Sequence, residues 1–332
     1  MKIAFFSFFF LLFLGCSQTP KSELTVYVSE DQVFSEPILQ AFEKKTGIHI
    51  NALYDTEESK STGVMNRLIA EKNNPQADVY WANEPIRAEL LRQRGILAPY
   101  ISKNSLEIAK NFKNAAGYWC GFSARARLFL VNKSLKNPPS RLQDYTNPAY
   151  ATNAVIANPL FGSTTAQIAA LYTLWGDTKT ENFLHKLKQN GVHIATSNGE
   201  SADFVAEGKY TFSLVDSDDA ISRIRAGKNV QIVYPNQAKN DIGVFIIPNV
   251  AMLIKGTKHE ANAKKLIDFL LSKETETQLA LADCAQIPLH PNVKRPKDVP
   301  NINSLHTMQV DYAKVAQKMQ EIQPFLEQWS HK

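Results

Sequence analysis

Residues 213–220, SLVDSDDA, place Asp216, Asp218 and Asp219 within four positions behind an apolar run. Carboxylates this close repel one another unless water, a cation or hydrogen-bond donors come between them. Ionised, they accept hydrogen bonds from an ammonium group or from sugar hydroxyls, and their hard oxygens suit a metal ion. A second reading needs no ligand: Asp216 caps a helix running through Ala220, and Asp218 and Asp219 sit in its first turn, favoured by the helix dipole. Capping explains one or two acids. The third points to ligand contact by at least one of Asp218 and Asp219. Gly162-Ser163-Thr164-Thr165 is a further candidate, because it runs into an apolar helix whose first amides form an anion site.

Alternating strands and helices must position these groups. Leu24 to Val28 reads as a strand; a helix opens at Ser35-Glu36-Pro37, carries Ile38, Leu39 and Phe42 at helical spacing, and ends at Gly47. A strand over 48–53, a helix over 63–73, a strand over 77–81 and a helix over 85–95 follow. Arg127 to Val131 is a strand after a turn around Gly121. The second half continues with strands over 154–157, 193–195, 211–215, 241–248 and 250–254. Its helices start at Gly162, Glu181, Glu200, Ala220, Glu260 and Lys273, and an amphipathic helix over 311–326 is the last. This order specifies an α/β fold with mixed, mainly parallel sheets and helices on both faces. Ligands bind such sheets beyond the carboxyl ends of the strands. The polar loops there are Ser29 to Gln32, Ala82 to Glu84, Gly162 to Thr165, Ser197 to Gly199 and Asp216 to Asp219. Solvated loops have the same composition, but five loops drawn from both halves suggest one cleft between two lobes.

At the amino terminus Met1-Lys2 precedes an apolar run, Ile3 to Leu14, that ends in Gly15-Cys16. The run is shorter than the roughly 20 residues a spanning helix needs, and its charged, apolar, small order is that of a secretory signal. Phe13-Leu14-Gly15-Cys16 resembles a bacterial lipobox, which makes Cys16 the expected lipidation site. Residues 1–15 are then a lipoprotein signal peptide and 16–22 a tether. The mature chain is expected to be exported and anchored at the bacterial membrane, facing the periplasm or the cell exterior. Cleavage removes Lys2, lowering the formal charge from +5 to +4 over the 317 remaining residues, which exceed one comfortable core and predict two domains. No basic block interleaved with aromatics is present, so nucleic acid is not an expected partner. Cys120 and Cys284 remain, and their spacing leaves open whether they bridge or stay buried thiols. The chain has no CxxC, HExxH, GxxxxGK or GxSxG, and its seven histidines are scattered, so no enzyme activity and no cofactor are expected.

Leu24 to Val28, Ala41 to Ile48, Ala77 to Trp81, Gly121 to Asn132, Phe245 to Lys255 and Ala263 to Ser272 together resemble the solute-binding proteins of ABC importers, in their ferric-ion-binding branch. The likeness runs in matching order over nearly the whole exported chain. It implies a two-lobed periplasmic-binding-protein fold of type II. Lobe one would comprise residues 23–120 and 240–290, and lobe two residues 121–239 and 291–332. The lobes would close around a small ligand, and a monomer would deliver it to a permease and its ATPase.

Ferric-binding members hold iron with an adjacent tyrosine pair, a histidine and often a glutamate. Here those positions fall on Asp218-Asp219, on Asp31, and on Asn83 or its neighbour Glu84. With no phenolate present, ferric iron held by Asp218 and Asp219 is the alternative to an organic ligand. Arg125 and Arg127 match the family's paired arginines, which hold the anion accompanying the metal, and guanidinium forks suit phosphate or carboxylate. Together with Gly162, Ser163, Thr164, Asn198 and Asp216 they form the expected ligand-binding set. A ligand with an anionic head and a cationic or hydroxylated tail satisfies both sides, as phosphorylated sugars and aminophosphonates do. Tyr80, Trp81 and Trp119 either stack on the ligand or fill a core. The leading function is an importer's binding protein working by lobe closure. An exported metal-dependent hydrolase would use the aspartates but lacks a visible base and nucleophile, and a lipoprotein sensor would pass ligand occupancy to a membrane partner.

Overall fold

The computed structural model describes residues 22–55 and 62–331. The expected signal peptide, the lipidation site Cys16 and the tether up to residue 21 lie outside the described residues. The chain first builds β1 (Glu23–Val28), α1 (Gln32–Thr46), β2 (His49–Tyr54), α2 (Thr62–Ala70), β3 (Val79–Ala82), α3 (Pro85–Gln93) and the short β4 (Leu97–Ala98). The long β5 (Cys120–Asn132) leads into α4 (Pro148–Ala151), β6 (Ala154–Ala157), α5 (Gly162–Trp175), α6 (Asp177–Gln189), β7 (His193–Ala195), α7 (Asn198–Ala206), β8 (Phe212–Asp216), α8 (Ser217–Arg225) and β9 (Val230–Val233). Then β10 (Ile246–Ile254) precedes α9 (Glu260–Leu270), α10 (Lys273–Leu281), α11 (Tyr312–Glu321) and α12 (Gln323–His331).

The strands form one mixed sheet in the order β2-β1-β3-β10-β5-β8-β6-β7, with β4 added to β10 and β9 to β5. At one end β1 pairs in parallel with β2 and β3, and at the other β6 pairs in parallel with β7 and β8. All the antiparallel pairs involve β5 or β10, the strands by which the chain passes between the two ends and returns. The α/β architecture with a mixed sheet is the one read from the sequence, but the sheet is not mainly parallel: its five antiparallel strand pairs, all made by the crossing strands β5 and β10, outnumber its four parallel ones.

Local differences from the sequence reading have physical reasons. Gly121 makes no turn; it lies inside β5, where a Cβ would come within 2.7 Å of the Phe112 carbonyl oxygen, so glycine permits a close approach. The two strands expected over 241–254 are a single strand, β10, which passes through Pro248 with a register shift between Pro248 and Asn249. The terminal helix is broken at Ile322 into α11 and α12. Helix α1 starts at Gln32, before the Ser35 start expected, with Pro37 inside its first turns, and ends at Gly47 in the left-handed conformation.

A core cluster joins both ends of the sheet, with Tyr80, Ile86 and Leu91 at one end, Phe129, Tyr145 and Phe212 at the other, and Tyr312 and Val315 of α11 among them. A second gathers Leu24, Phe42, Trp81, Phe122, Leu266, Val299 and Ile302. Tyr80, Trp81 and Trp119 are core residues: all are buried, and their polar atoms bond Ser29, Asn249 and Glu89. Cys120 and Cys284 are free, buried thiols, and burial raises both pKa values. Among the described residues no helix is long and apolar enough to cross a membrane.

Candidate functional site

Antiparallel pairing of β5 with β8 sets Arg127 directly opposite Asp216. Arg127 is fully buried, and its Nη1 donates to Asp216 Oδ1, Ser163 Oγ and Asn198 Oδ1, each at 3.0 Å. Its Nη2 donates to Thr164 Oγ1 at 3.1 Å and to the Leu214 carbonyl at 3.2 Å. Ser163 Oγ passes its own hydrogen to Asp216 Oδ2 at 2.8 Å and accepts from Asn198 Nδ2 at 2.8 Å. A buried guanidinium is tolerated when a carboxylate and further acceptors surround it, and the amino ends of α5 and α7 supply them here. The structure thus brings Arg127, Ser163, Thr164, Asn198 and Asp216 together and bonds them to one another. Gly162 opens α5 with a φ of 62°, a left-handed conformation that suits glycine.

Asp216 occupies the N-cap position of α8 but makes no capping bond with its side chain. Burial works to raise its carboxyl; the charges of Arg127 and then Arg125 outweigh this and hold it below the usual carboxylate range. The arginines, rather than a cap, account for the first of the three acids.

Arg125 lies two residues earlier on β5 and so points to the same face as Arg127. Its Nη1 stands 3.5 Å from Asp216 Oδ2, and its Nη2 donates to the Asn83 carbonyl at 2.9 Å. Its side chain keeps 16% exposure, against none for Arg127. Burial opposes its charge, but Asp216, Asp218, Glu30 and Asp31 act on it together and keep it charged. Arg125 Nε and Asp218 Oδ1 are buried atoms without a hydrogen-bond partner among the described residues.

Asp218 and Asp219 sit half-buried in the first turn of α8. Burial, opposed by Arg125 and reinforced by Asp216, pushes Asp218 up to about 6. Burial and the charges of Asp218 and Asp216 push Asp219 up to about 8, against Arg223, whose Nη1 is 3.5 Å away. One oxygen from each of Asp216, Asp218 and Asp219 fits within 4.8 Å of the others. The Asp216 carboxylate is already committed to arginine, which leaves Asp218 and Asp219 as the acids available to a ligand.

The remaining expected residues divide. Asp31 stands at the amino end of α1 without a capping bond from its side chain, and Asn83 offers its carbonyl to Arg125. Glu84 serves the fold: it caps α3 through the amides of Ile86 and Arg87 and pairs with the Arg87 guanidinium at 2.5 Å. Sequence reasoning missed Glu30, which is buried, acts on Arg125, and accepts a hydrogen bond from Gln286 Nε2 at 3.0 Å. Its only signal was its place in the polar loop after β1. The group as a whole pairs charged donors with acceptors.

A two-ended sheet of this kind, with charged residues gathered where its crossing strands meet, defines a binding protein. Residues 76–315 match the model of the family described as bacterial extracellular solute-binding protein, and the chain belongs to that family. The family supplies the substrate-binding components of ABC importers, and its members are transport proteins rather than enzymes. Among curated relatives, the chain is 26% identical over 268 residues to a periplasmic protein of Salmonella typhi provisionally named for binding 2-aminoethylphosphonate, covering 78% of this chain and 77% of that one. It is 24% identical over 304 residues to the major ferric iron-binding protein of Neisseria meningitidis, covering 90% of each. Among solved structures, iron-bound HitA from Pseudomonas aeruginosa superposes with a TM-score of 0.79 at 21% identity, covering 92% of this chain and 99% of that one. AfuA from Actinobacillus pleuropneumoniae, with fructose-6-phosphate bound, superposes with a TM-score of 0.75 at 23% identity, covering 93% and 98%.

Proposed function

We propose that this protein captures a small solute carrying an anionic head and an ammonium or hydroxyl-bearing tail, of the aminophosphonate or phosphorylated-sugar type, between two lobes joined by β5 and β10. The observation that carries the reading is the pairing of two unsatisfied groups in one place: Arg125 Nε, a charged donor, and Asp218 Oδ1, an acceptor. An anion on Arg125 and an ammonium or hydroxyl on Asp218 and Asp219 complete both. The names of the relatives support the same chemistry, since one is provisionally assigned 2-aminoethylphosphonate and a structural neighbour holds fructose-6-phosphate. The importer partner is a permease with its ATPase, and Cys16 carries the lipid that keeps the protein at the membrane. Ferric iron is the second reading, favoured by the oxygen cluster of Asp216, Asp218 and Asp219.

The test is a thermal-shift and calorimetric screen of the exported chain with 2-aminoethylphosphonate, fructose-6-phosphate, inorganic phosphate and ferric citrate. A ligand that binds only the native state stabilises it by mass action, by about 2.7 kcal/mol at a hundredfold excess over Kd. A shift with 2-aminoethylphosphonate or fructose-6-phosphate supports the proposal. A shift with ferric citrate alone sinks it in favour of iron.

A further inference from the structure

Strand β5 carries one residue more than its ladder with β10 requires. Ala124 pairs with Pro248 and Phe122 with Asn249, so Ser123 has no opposite number. Its φ is 41°, in the left-handed region that a residue with a side chain avoids at a cost of roughly 1–2 kcal/mol. A bulge of this kind bends and twists its strand and re-aims the side chains beyond it. It persists only where the surroundings hold it.

The hold is specific. The Ser123 amide, freed from the ladder, donates to Glu276 Oε1 at 2.8 Å, and the Ser123 carbonyl accepts from Asn249 Nδ2 at 3.2 Å. Glu276, on α10, is fully buried and also accepts from the amides of Leu289 at 2.8 Å and His290 at 3.0 Å. His290 supplies the balancing charge: Nδ1 lies 2.9 Å from Glu276 Oε2, and Nε2 lies 2.6 Å from the Asn104 carbonyl oxygen. A carbonyl only accepts, so Nε2 carries a hydrogen, and Nδ1 faces a carboxylate whose oxygens already accept three amide hydrogens. Asn249 extends the hold to the ligand group, donating to Gln286 Oε1 at 2.7 Å, while Gln286 donates to Glu30. Arg125 lies two residues beyond the bulge.

We propose that Glu276, charge-balanced by His290, is a positioning group for ligand capture: it fixes the Ser123 bulge, and the bulge aims Arg125 at the bound anion. The inference rests on the ligand reading above through Arg125 alone.

The test is a double-mutant cycle in the exported chain, titrated by calorimetry with 2-aminoethylphosphonate and with fructose-6-phosphate, well below the Tm of each variant. Glu276→Gln is expected to weaken binding about tenfold, while in an Arg125→Ala background it costs nothing further, because the two act through one contact. Losses that simply add, or full affinity in Glu276→Gln, overturn the proposal. If Glu276→Gln does not fold, His290→Gln takes its place in the same cycle with the same expectations. A readout without ligand separates this idea from the ligand assignment: the Arg125 Nε–Hε resonance of the nitrogen-15-labelled protein moves in Glu276→Gln if the clamp aims that side chain. If the wild type binds neither probe, the ligand reading fails; a shifted Arg125 resonance then still supports the positioning role, and an unshifted one overturns it.

Discussion

Arg127 and Asp216 face each other across the β5–β8 ladder with Nη1 and Oδ1 3.0 Å apart, and both side chains are withdrawn from water. The neighbouring Arg125 shares the same carboxylate at 3.5 Å but stays partly exposed. One arginine is thereby committed to the fold, while the other, which the proposed reading gives to the ligand, keeps part of its surface open, although the sequence presents them as a pair two residues apart.

Arg127→Met is therefore expected to destabilise the protein by about 3–5 kcal/mol, because it strands the buried Asp216 carboxylate. Arg127→Lys should recover little, since a single ammonium cannot reach the acceptors that the fork meets. Arg125→Ala should cost much less stability, as Asp216 keeps Arg127, but should sharply reduce, without abolishing, the ligand-induced rise in Tm. Urea unfolding and thermal shift on the three variants check this; equal losses for Arg125 and Arg127 variants would refute the division of roles.

Asp218 and Asp219 give a pH dependence of defined sign. Their pKa values are raised in the folded protein, to about 6 and about 8, so folding keeps protons that the unfolded chain releases near pH 4. Stability of the free protein should fall as pH climbs through that window, and Asp218→Asn with Asp219→Asn should stabilise it at neutral pH. Affinity for an amine-bearing ligand should change in the opposite direction, rising as the pair ionises. Calorimetric titrations of 2-aminoethylphosphonate on either side of this window check it, and affinity that is flat with pH would remove the two acids from the site.

Much of the framework was legible in the residues. Alternating apolar spacing located β1, α1, β3, α5 and α9, and the SLVDSDDA stretch marked a strand end with charges to explain. What was not legible depends on pairing across the sheet. Nothing local distinguishes Arg125 from Arg127, because their fates are set by β8, which lies about ninety residues away and places Asp216 opposite one of them. Gly121 looked like a turn because glycine's local signal is identical whether it serves a turn or a close approach, here to Phe112. β9 was missed because four residues ending a polar stretch carry too little periodicity until β5 is beside them.

Lipid anchoring is tested separately from the fold. Cys16→Ser should move the protein from the membrane fraction to the soluble exported fraction without changing its Tm, since the acceptor thiol is lost and the folded lobes are untouched. Retention of the serine variant in washed membranes would show that something other than a lipid on Cys16 holds the protein there.

His290 supplies a second contribution to the pH dependence. Burial opposes its charge, and the hydrogen bond and charge of Glu276, followed by the Asn104 carbonyl, outweigh it, while Lys273 pulls the other way, so its pKa is raised in the folded state. A histidine raised on folding stabilises fully below its unfolded value of about 6.5 and loses that stabilisation as pH rises through the folded value. This slope has the same sign as that of Asp218 and Asp219, so the wild-type curve cannot apportion them. Variants can: His290→Gln should be less stable than wild type in mild acid and should lessen the slope only above about pH 6.5, where Asp219 goes on contributing up to about 8. The double asparagine variant should keep the His290 share of that upper part and lose the slope that begins near pH 4. Urea midpoints across pH for the three proteins check this. If His290→Gln leaves the curve unchanged in shape, the ring is not charged in the native state, and the buried Glu276 carboxylate must be balanced in some other way.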